Sequence, residues 1–281
     1  MSQDQRIVWL ASYPKSGNTW ARLFLTSYIA NNEIFDPNQA LKGSFHDASR
    51  VLMSKTLGVK TEGLDSKVVS GMRPGYLAQL AKSGKKDVLV KTHVANGAWN
   101  NVPMVPPKLT RAAIYLVRHP FDVAVSFAKH MSFSVDDAIA AMANPSFQLG
   151  SDSQVAQPMS TWSNHVTSWL NGNEFPHVCV RYEDMHQNPF LSFSNILAMM
   201  GLKTDYKRIS TALDQVAFSK MQAVEAKDGF AEKPTNGMEK FFVSGRTGTW
   251  RDVLNSEQTK KLWNDHKDAM LHLGYGPDGE F

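Results

Sequence analysis

Three segments carry side chains whose types and spacing could do chemistry on an anion. Ser12-Tyr13-Pro14-Lys15-Ser16-Gly17-Asn18-Thr19-Trp20 follows a short apolar run and leads into helical spacing at Trp20, Leu23, Phe24 and Tyr28. A strand, a tight loop and a helix N-terminus bring backbone N–H groups together, and the helix dipole there favours negative charge. Lys91-Thr92-His93 closes a second apolar run. A histidine titrates near neutrality and can take a proton from a hydroxyl, while a lysine can stabilise developing negative charge. Tyr115-Leu116-Val117-Arg118-His119-Pro120 closes a third run, and Ser126 falls on the helical pattern after it. The planar fork of an arginine donates two parallel hydrogen bonds and suits phosphate.

These groups can meet only if strands deliver them to one edge. Ile7–Ala11, Asp87–Thr92, Ala112–Val117 and His177–Val180 read as strands, and Thr19–Ile29, Phe121–His130, Pro189–Met200 and Ser256–Leu271 as helices. The alternation predicts an α/β fold in one domain over residues 1–281, a mostly parallel sheet flanked by helices. In such a sheet a ligand sits beyond the carboxyl ends of the strands. Asn32–Ser70, Asn144–Gln157 and Lys227–Thr249 lack periodicity and read as loops that line a pocket.

The first segment is P-loop-like, with a difference that matters. A nucleoside triphosphate loop needs Gly, four residues, then Gly-Lys-Ser/Thr. Here Ser12 stands at the first glycine, Asn18 at the lysine and Thr19 at the hydroxyl, and the lysine has moved to Lys15. The third strand ends in Arg118, not in an acidic metal ligand. A kinase using ATP and Mg²⁺ is the rival enzyme, and a silent nucleotide-binding module the rival of another class. Asn18 argues against the first, and Lys15, Lys91 and His93 together argue against the second.

The segment resembles the 5′-phosphosulfate loop of the cytosolic-type sulfotransferases, and the resemblance runs from about Ile7 to Tyr275, densest at five motifs. It implies transfer of a sulfuryl group from 3′-phosphoadenosine-5′-phosphosulfate (PAPS) to a hydroxyl or amine, with the bisphosphate PAP as product. Lys15 would meet the oxygen that bridges phosphorus and sulfur, and Ser16, Gly17, Asn18 and Thr19 would hold the 5′-phosphate. Lys91 would stabilise the sulfuryl oxygens and His93 would act as general base. Arg118 and Ser126 match the pair that binds the 3′-phosphate. Trp20, Tyr182 of Arg181-Tyr182-Glu183-Asp184-Met185, and Phe218 match rings placed against adenine.

Gly245-Arg246-Thr247-Gly248-Thr249-Trp250-Arg251 resembles the glycine-rich segment that wraps the 3′-phosphate. Many relatives carry an Arg-Lys pair just before the first glycine, where this chain has Val243-Ser244. Arg246 and loop amides are expected to take over that charge pairing. Asp122, Glu183 and Asp184 read as structural braces. Trp162, His165 and Trp169 read as a packed helix face, and His46, His119 and His130 have no assigned chemical role.

Composition narrows the rest. The net charge of +4 is compatible with an anionic ligand, and no basic block interleaved with aromatics points to nucleic acid. The single cysteine, Cys179, reads as a small buried hydrophobe, so no disulfide is expected. No leader and no membrane-length apolar run is seen, and a cytoplasmic protein is expected. No residue cluster has metal-ligand spacing, so no metal is expected. The resemblance implies a small-molecule, glycan or lipid acceptor, with Phe127, Met131, Phe133, Phe147, Phe241 and Phe242 available to a partly apolar pocket or to the core. The sequence carries no oligomer signal.

Overall fold

Strand β1 (Ile7–Ser12) is buried along its whole length. A strand covered on both faces needs apolar side chains at consecutive positions, which Ile-Val-Trp-Leu-Ala supplies. Alternate residues point to opposite faces. Ile7, Trp9 and Ala11 therefore enter one core with Tyr115, Trp162 and Trp169. Val8 and Leu10 enter a second with Phe24, Phe193 and Ile196. The buried Trp9 indole donates to Thr110 Oγ1 at 2.9 Å, so its one polar atom is satisfied.

The structure is a computed structural model that describes residues 6–32, 34–42, 45–84, 86–233 and 240–280. After β1 come β2 (Phe45–His46), β3 (Val88–Thr92), β4 (Ala98–Trp99), β5 (Val102–Pro103), β6 (Thr110–Val117), β7 (Gln148–Ser151), β8 (Gln154–Pro158) and β9 (His177–Arg181). The central sheet is parallel, in the order β2-β3-β1-β6-β9. Ala11 pairs with Thr92 and Ser12 with Leu116, so β1, β3 and β6 end level with one another. Helices Asn18–Ala30, Pro120–Met131, Trp162–Leu170, Pro189–Met199 and Ser256–His272 flank the sheet. No helix among the described residues is long and apolar enough to cross a membrane.

Two stretches expected to be irregular carry structure. Between Asn32 and Ser70 lie helix Pro37–Lys42, β2, helix Arg50–Leu57 and the start of helix Ser66–Ala81. The last of these contains Pro74, Gly71 and Gly75, which mask it locally. Val69, Tyr76, Leu77 and Leu80 are buried and hold it by tertiary packing instead. Asn144–Gln157 contains most of the β7–β8 ribbon, which is tied to the body by Val155 N–H on the Ala48 carbonyl at 2.9 Å and by Arg50 N–H on that of Ser153 at 3.0 Å. In Lys227–Thr249, residues 234–239 lie outside the described residues, and the described part contains no strand.

Candidate active site

The loop after β1 runs straight into a helix N-terminus. Lys15 and Gly17 both take left-handed backbone angles, at φ 69° and 93°. A Cβ at Gly17 would also come within 2.7 Å of the Tyr182 ring, so glycine is required there twice over. Helix Asn18–Ala30 begins with no side-chain cap, which leaves its first N–H groups facing the loop. Ser16 Oγ is buried without a partner. Asn18 turns its amide away, donating to the Leu10 carbonyl at 3.1 Å and accepting from Arg22 Nε at 3.0 Å. Its share in anion binding therefore reduces to its backbone N–H.

Two lysines reach the same place. Lys15 lies with Nζ 4.7 Å from the centre of the Phe241 ring, and Lys91 with Nζ 3.8 Å from a carboxylate oxygen of Glu232. Burial, helped by the charges of Arg118 and Lys91, lowers the Lys15 pKa to about 8. Burial also lowers Lys91 to about 8, against the opposing pull of Glu232.

His93 follows β3. Its Nδ1 lies 2.8 Å from the Ser12 carbonyl and 3.3 Å from Ser12 Oγ. Burial first, then Lys91 and His46, hold its pKa well below the ordinary histidine value. The backbone behind it is braced: His165 Nε2 donates to the His93 carbonyl at 3.0 Å, Tyr115 Oη donates to His165 Nδ1 at 3.0 Å, and Trp169 Nε1 donates to the Val94 carbonyl at 2.9 Å. The buried Trp162, His165 and Trp169 face is thus a packed helix face that supports the strand end.

Arg118 ends β6. Its Nη1 donates to the Lys15 carbonyl at 3.3 Å and its Nη2 to the Arg246 carbonyl at 2.8 Å, while its Nε is buried without a partner. The guanidinium lies 4.5 Å above the Tyr182 ring. Asp122 gathers the glycine-rich segment by accepting from Gly248 N–H at 2.7 Å, Thr249 Oγ1 at 2.9 Å and Trp250 N–H at 3.1 Å. A Cβ at Gly245 would fall 2.3 Å from the Phe218 ring, so the backbone passes directly over that ring. Glu183 braces as expected, accepting from His119 N–H at 2.9 Å and Tyr275 Oη at 2.7 Å.

Lys15, Lys91, His93 and Arg118 border one cavity of about 890 Å³ together with Trp20, Ser126, Tyr182, Phe218 and Gly245. Arg246 is different: its carbonyl anchors Arg118, but its side chain is exposed and does not border the cavity. Met131, Phe241 and Phe242 line the wall, whereas Phe127 is core. Cys179 is half-buried, and burial pushes its thiol up to about 12, which keeps it protonated.

Sequence patterns left several wall residues unnoticed. Lys129 sits three residues after Ser126 on one helix, a spacing that would have revealed it. Glu232, Gln154 and Gln157 sit in aperiodic stretches with no local signal. His46 lies beside His93, with ring centres 6.2 Å apart, and its Nε2 is 3.4 Å from Gln157 Oε1. No group of three or more His, Cys, Asp or Glu among the described residues could hold a metal ion.

The sulfotransferase domain family model matches residues 5–274. Sulfotransferase 1B1 of Canis lupus familiaris is 26% identical over 278 residues, covering 93% of this chain and 82% of that protein. Flavonol 3-sulfotransferase of Flaveria bidentis is 22% identical over 270 residues, covering 91% and 78%. Among solved structures, retinol dehydratase in complex with androsterone and the inactive cofactor PAP superposes with a TM-score of 0.60 at 20% identity, covering 96% of this chain and 82% of that one. A mouse sulfotransferase complexed with PAP gives 0.60 at 18%, covering 95% and 84%. A family match over nearly the whole length, on a fold shared with these enzymes, leads to one conclusion: the chain belongs to the sulfotransferase domain family and is a sulfotransferase.

Proposed function

We propose that the chain, as one cytoplasmic domain, transfers a sulfuryl group from PAPS to a hydroxyl or amine acceptor with His93 as general base and without a metal. The observation that carries this reading is the meeting of Lys15, Lys91 and His93 on one cavity from the ends of two neighbouring parallel strands. The cavity also fits the nucleotide, because Ser16 Oγ and Arg118 Nε are buried donors without partners and the helix behind the loop is uncapped. The negative charge of a bisphosphate and its need for donors are met by groups of this kind.

Ser16, Thr19 and the N–H groups of Gly17 and Asn18 would hold the 5′-phosphosulfate. Arg118, Ser126, Gly245 and Arg246 would hold the 3′-phosphate, and Trp20, Tyr182 and Phe218 the adenine. When bound, PAPS supplies a sulfuryl group on a phosphate leaving group. His93 takes the acceptor proton on Nε2, and Lys15 and Lys91 offset the negative charge that builds on the oxygens around phosphorus and sulfur. Retinol dehydratase structures hold androsterone or retinol. A hydroxyl-bearing small molecule, seated between the apolar Phe241 and Met131 and the polar His46 and Gln157, is the matching acceptor here.

Thermal stabilisation tests the nucleotide. PAP should raise the melting temperature clearly more than ATP with Mg²⁺, and activity in a PAPS-dependent acceptor screen should survive EDTA. The reverse ranking, or activity restored only by a divalent ion, would return the kinase reading.

A further inference from the structure

Glu232 stands in the cavity among the groups expected to hold the phosphosulfate. Its carboxylate accepts from Thr19 Oγ1 at 2.9 Å and from Arg22 Nη2 at 2.8 and 2.7 Å, one contact on each oxygen of the carboxylate for Arg22. Lys91 Nζ is 3.8 Å away. Arg22 is buried and fixed from behind by Asn18 Oδ1, and its Nη2 is 3.2 Å from Thr19 Oγ1. Burial alone would raise the Glu232 pKa, but Lys91 and Arg22 outweigh it and hold the carboxylate below its usual range. Paired with Arg22 and beside Lys91, this carboxylate offsets positive charge in the cradle.

We propose that Glu232 is an internal anion that fills the phosphosulfate cradle of the nucleotide-free protein and is displaced by the nucleotide, setting the threshold an anion must exceed to bind. The inference rests on the nucleotide reading above. Thr19 Oγ1 has one hydrogen to donate, so it serves either the carboxylate or an incoming phosphate oxygen. Two anions sharing the largely buried Lys91 and Arg22 would also repel each other. A ligand that engages adenine and 3′-phosphate sites as well can evict Glu232. Inorganic sulfate, which has the cradle alone, cannot. Occlusion reduces apparent affinity by the fraction of molecules with an open cradle.

Glu232→Gln keeps the shape and removes the charge. Calorimetric titration should show PAP binding to it about tenfold more tightly than to the wild type, corresponding to an open fraction of about one in ten. Millimolar inorganic sulfate should raise the melting temperature of the variant and leave that of the wild type unmoved. Wild type that binds PAP beside a variant that binds it equally or more weakly would overturn the inference alone. Failure of both to bind PAP would overturn the nucleotide reading, and the inference with it. Glu232→Asp, which keeps the charge on a shorter arm, serves as the second variant and should fall between the two. An affinity equal to wild type for that variant would count against displacement.

Discussion

The backbone oxygen of Ser12 lies 2.8 Å from Nδ1 of His93. A carbonyl only accepts, so Nδ1 carries the proton and Nε2 keeps its lone pair. Burial and the nearby Lys91 keep the imidazole neutral through the physiological range. His93→Asn should lower turnover by about 10²–10⁴, the range for loss of general base catalysis. PAP affinity should stay within a few-fold of wild type. Turnover near that of wild type would remove His93 from the chemistry.

Lys15 and Lys91 give a pH signature. Each has its pKa lowered to about 8 in the empty protein. Below that pH both are charged, and above it they lose the charge that attracts an anion. A bound bisphosphate favours the charged form, so binding takes up protons as pH rises through 8. PAP affinity should fall by about tenfold or more between pH 7 and pH 9, one pKa unit being worth about a factor of ten. Titration calorimetry in buffers of different ionisation enthalpy counts the protons, and a flat profile would contradict the charge role of both lysines.

Asp47 and Arg73 set a stability prediction directly behind the end of β3. Asp47 is fully buried and accepts from Arg73 Nη2 at 2.5 Å and Thr92 Oγ1 at 2.8 Å. Arg73 Nη2 also donates to the Met104 carbonyl at 2.9 Å. Asp47→Ala strands a buried guanidinium and should cost about 3–5 kcal/mol in denaturant unfolding. Adding Arg73→Met should recover part of that loss. A single variant within about 1 kcal/mol of wild type would show that the pair carries little net energy.

The proposed 3′-phosphate site has Val243 and Ser244 where many relatives carry a basic pair. If the exposed Arg246 side chain turns onto the 3′-phosphate, Arg246→Ala should weaken PAP binding by about ten- to a hundredfold, the equivalent of a charge-assisted contact of about 1.5–3 kcal/mol. Binding of adenosine 5′-phosphosulfate should hardly change. Lys129 borders the cavity one helical turn after Ser126, so Lys129→Ala is the informative companion. A 3′-phosphate-selective loss in Lys129→Ala and none in Arg246→Ala would move the role to the helix.

The parts legible in sequence are those coded locally. β1, β3, β6 and β9 match their expected runs to within two residues at either end; β1 and β6 are buried nearly throughout and need long apolar stretches, whereas β3 and β9 are partly exposed and carry Lys91 and Arg181 toward their ends. Lys15, Arg118 and His93 follow from their places at strand ends. β2 is only two residues long and owes its place to its pairing with β3 and to the hydrogen bond from Asp47 N–H to the Lys91 carbonyl. Glu232 meets Arg22 across 210 positions, and no local spacing announces such a pair. At Arg246 the motif match goes with a backbone carbonyl that anchors Arg118, while the side chain is exposed, which a motif match does not fix.

The β7–β8 ribbon has one further consequence. It is stitched to the body at Ala48, Arg50 and the Ser49–Gln154 bridge, while the anion loop hangs from β1 and Arg118 from β6. Leu149, Ser151, Gln154 and Gln157 reach the cavity from this ribbon without taking part in the central sheet. Residues 148–158 therefore form a cassette that can be exchanged as a unit. If the acceptor sits as proposed, splicing in ribbons of other sequence, with the Val155–Ala48 and Ala95–Pro158 backbone bonds retained, should change acceptor preference and leave PAP affinity as it was.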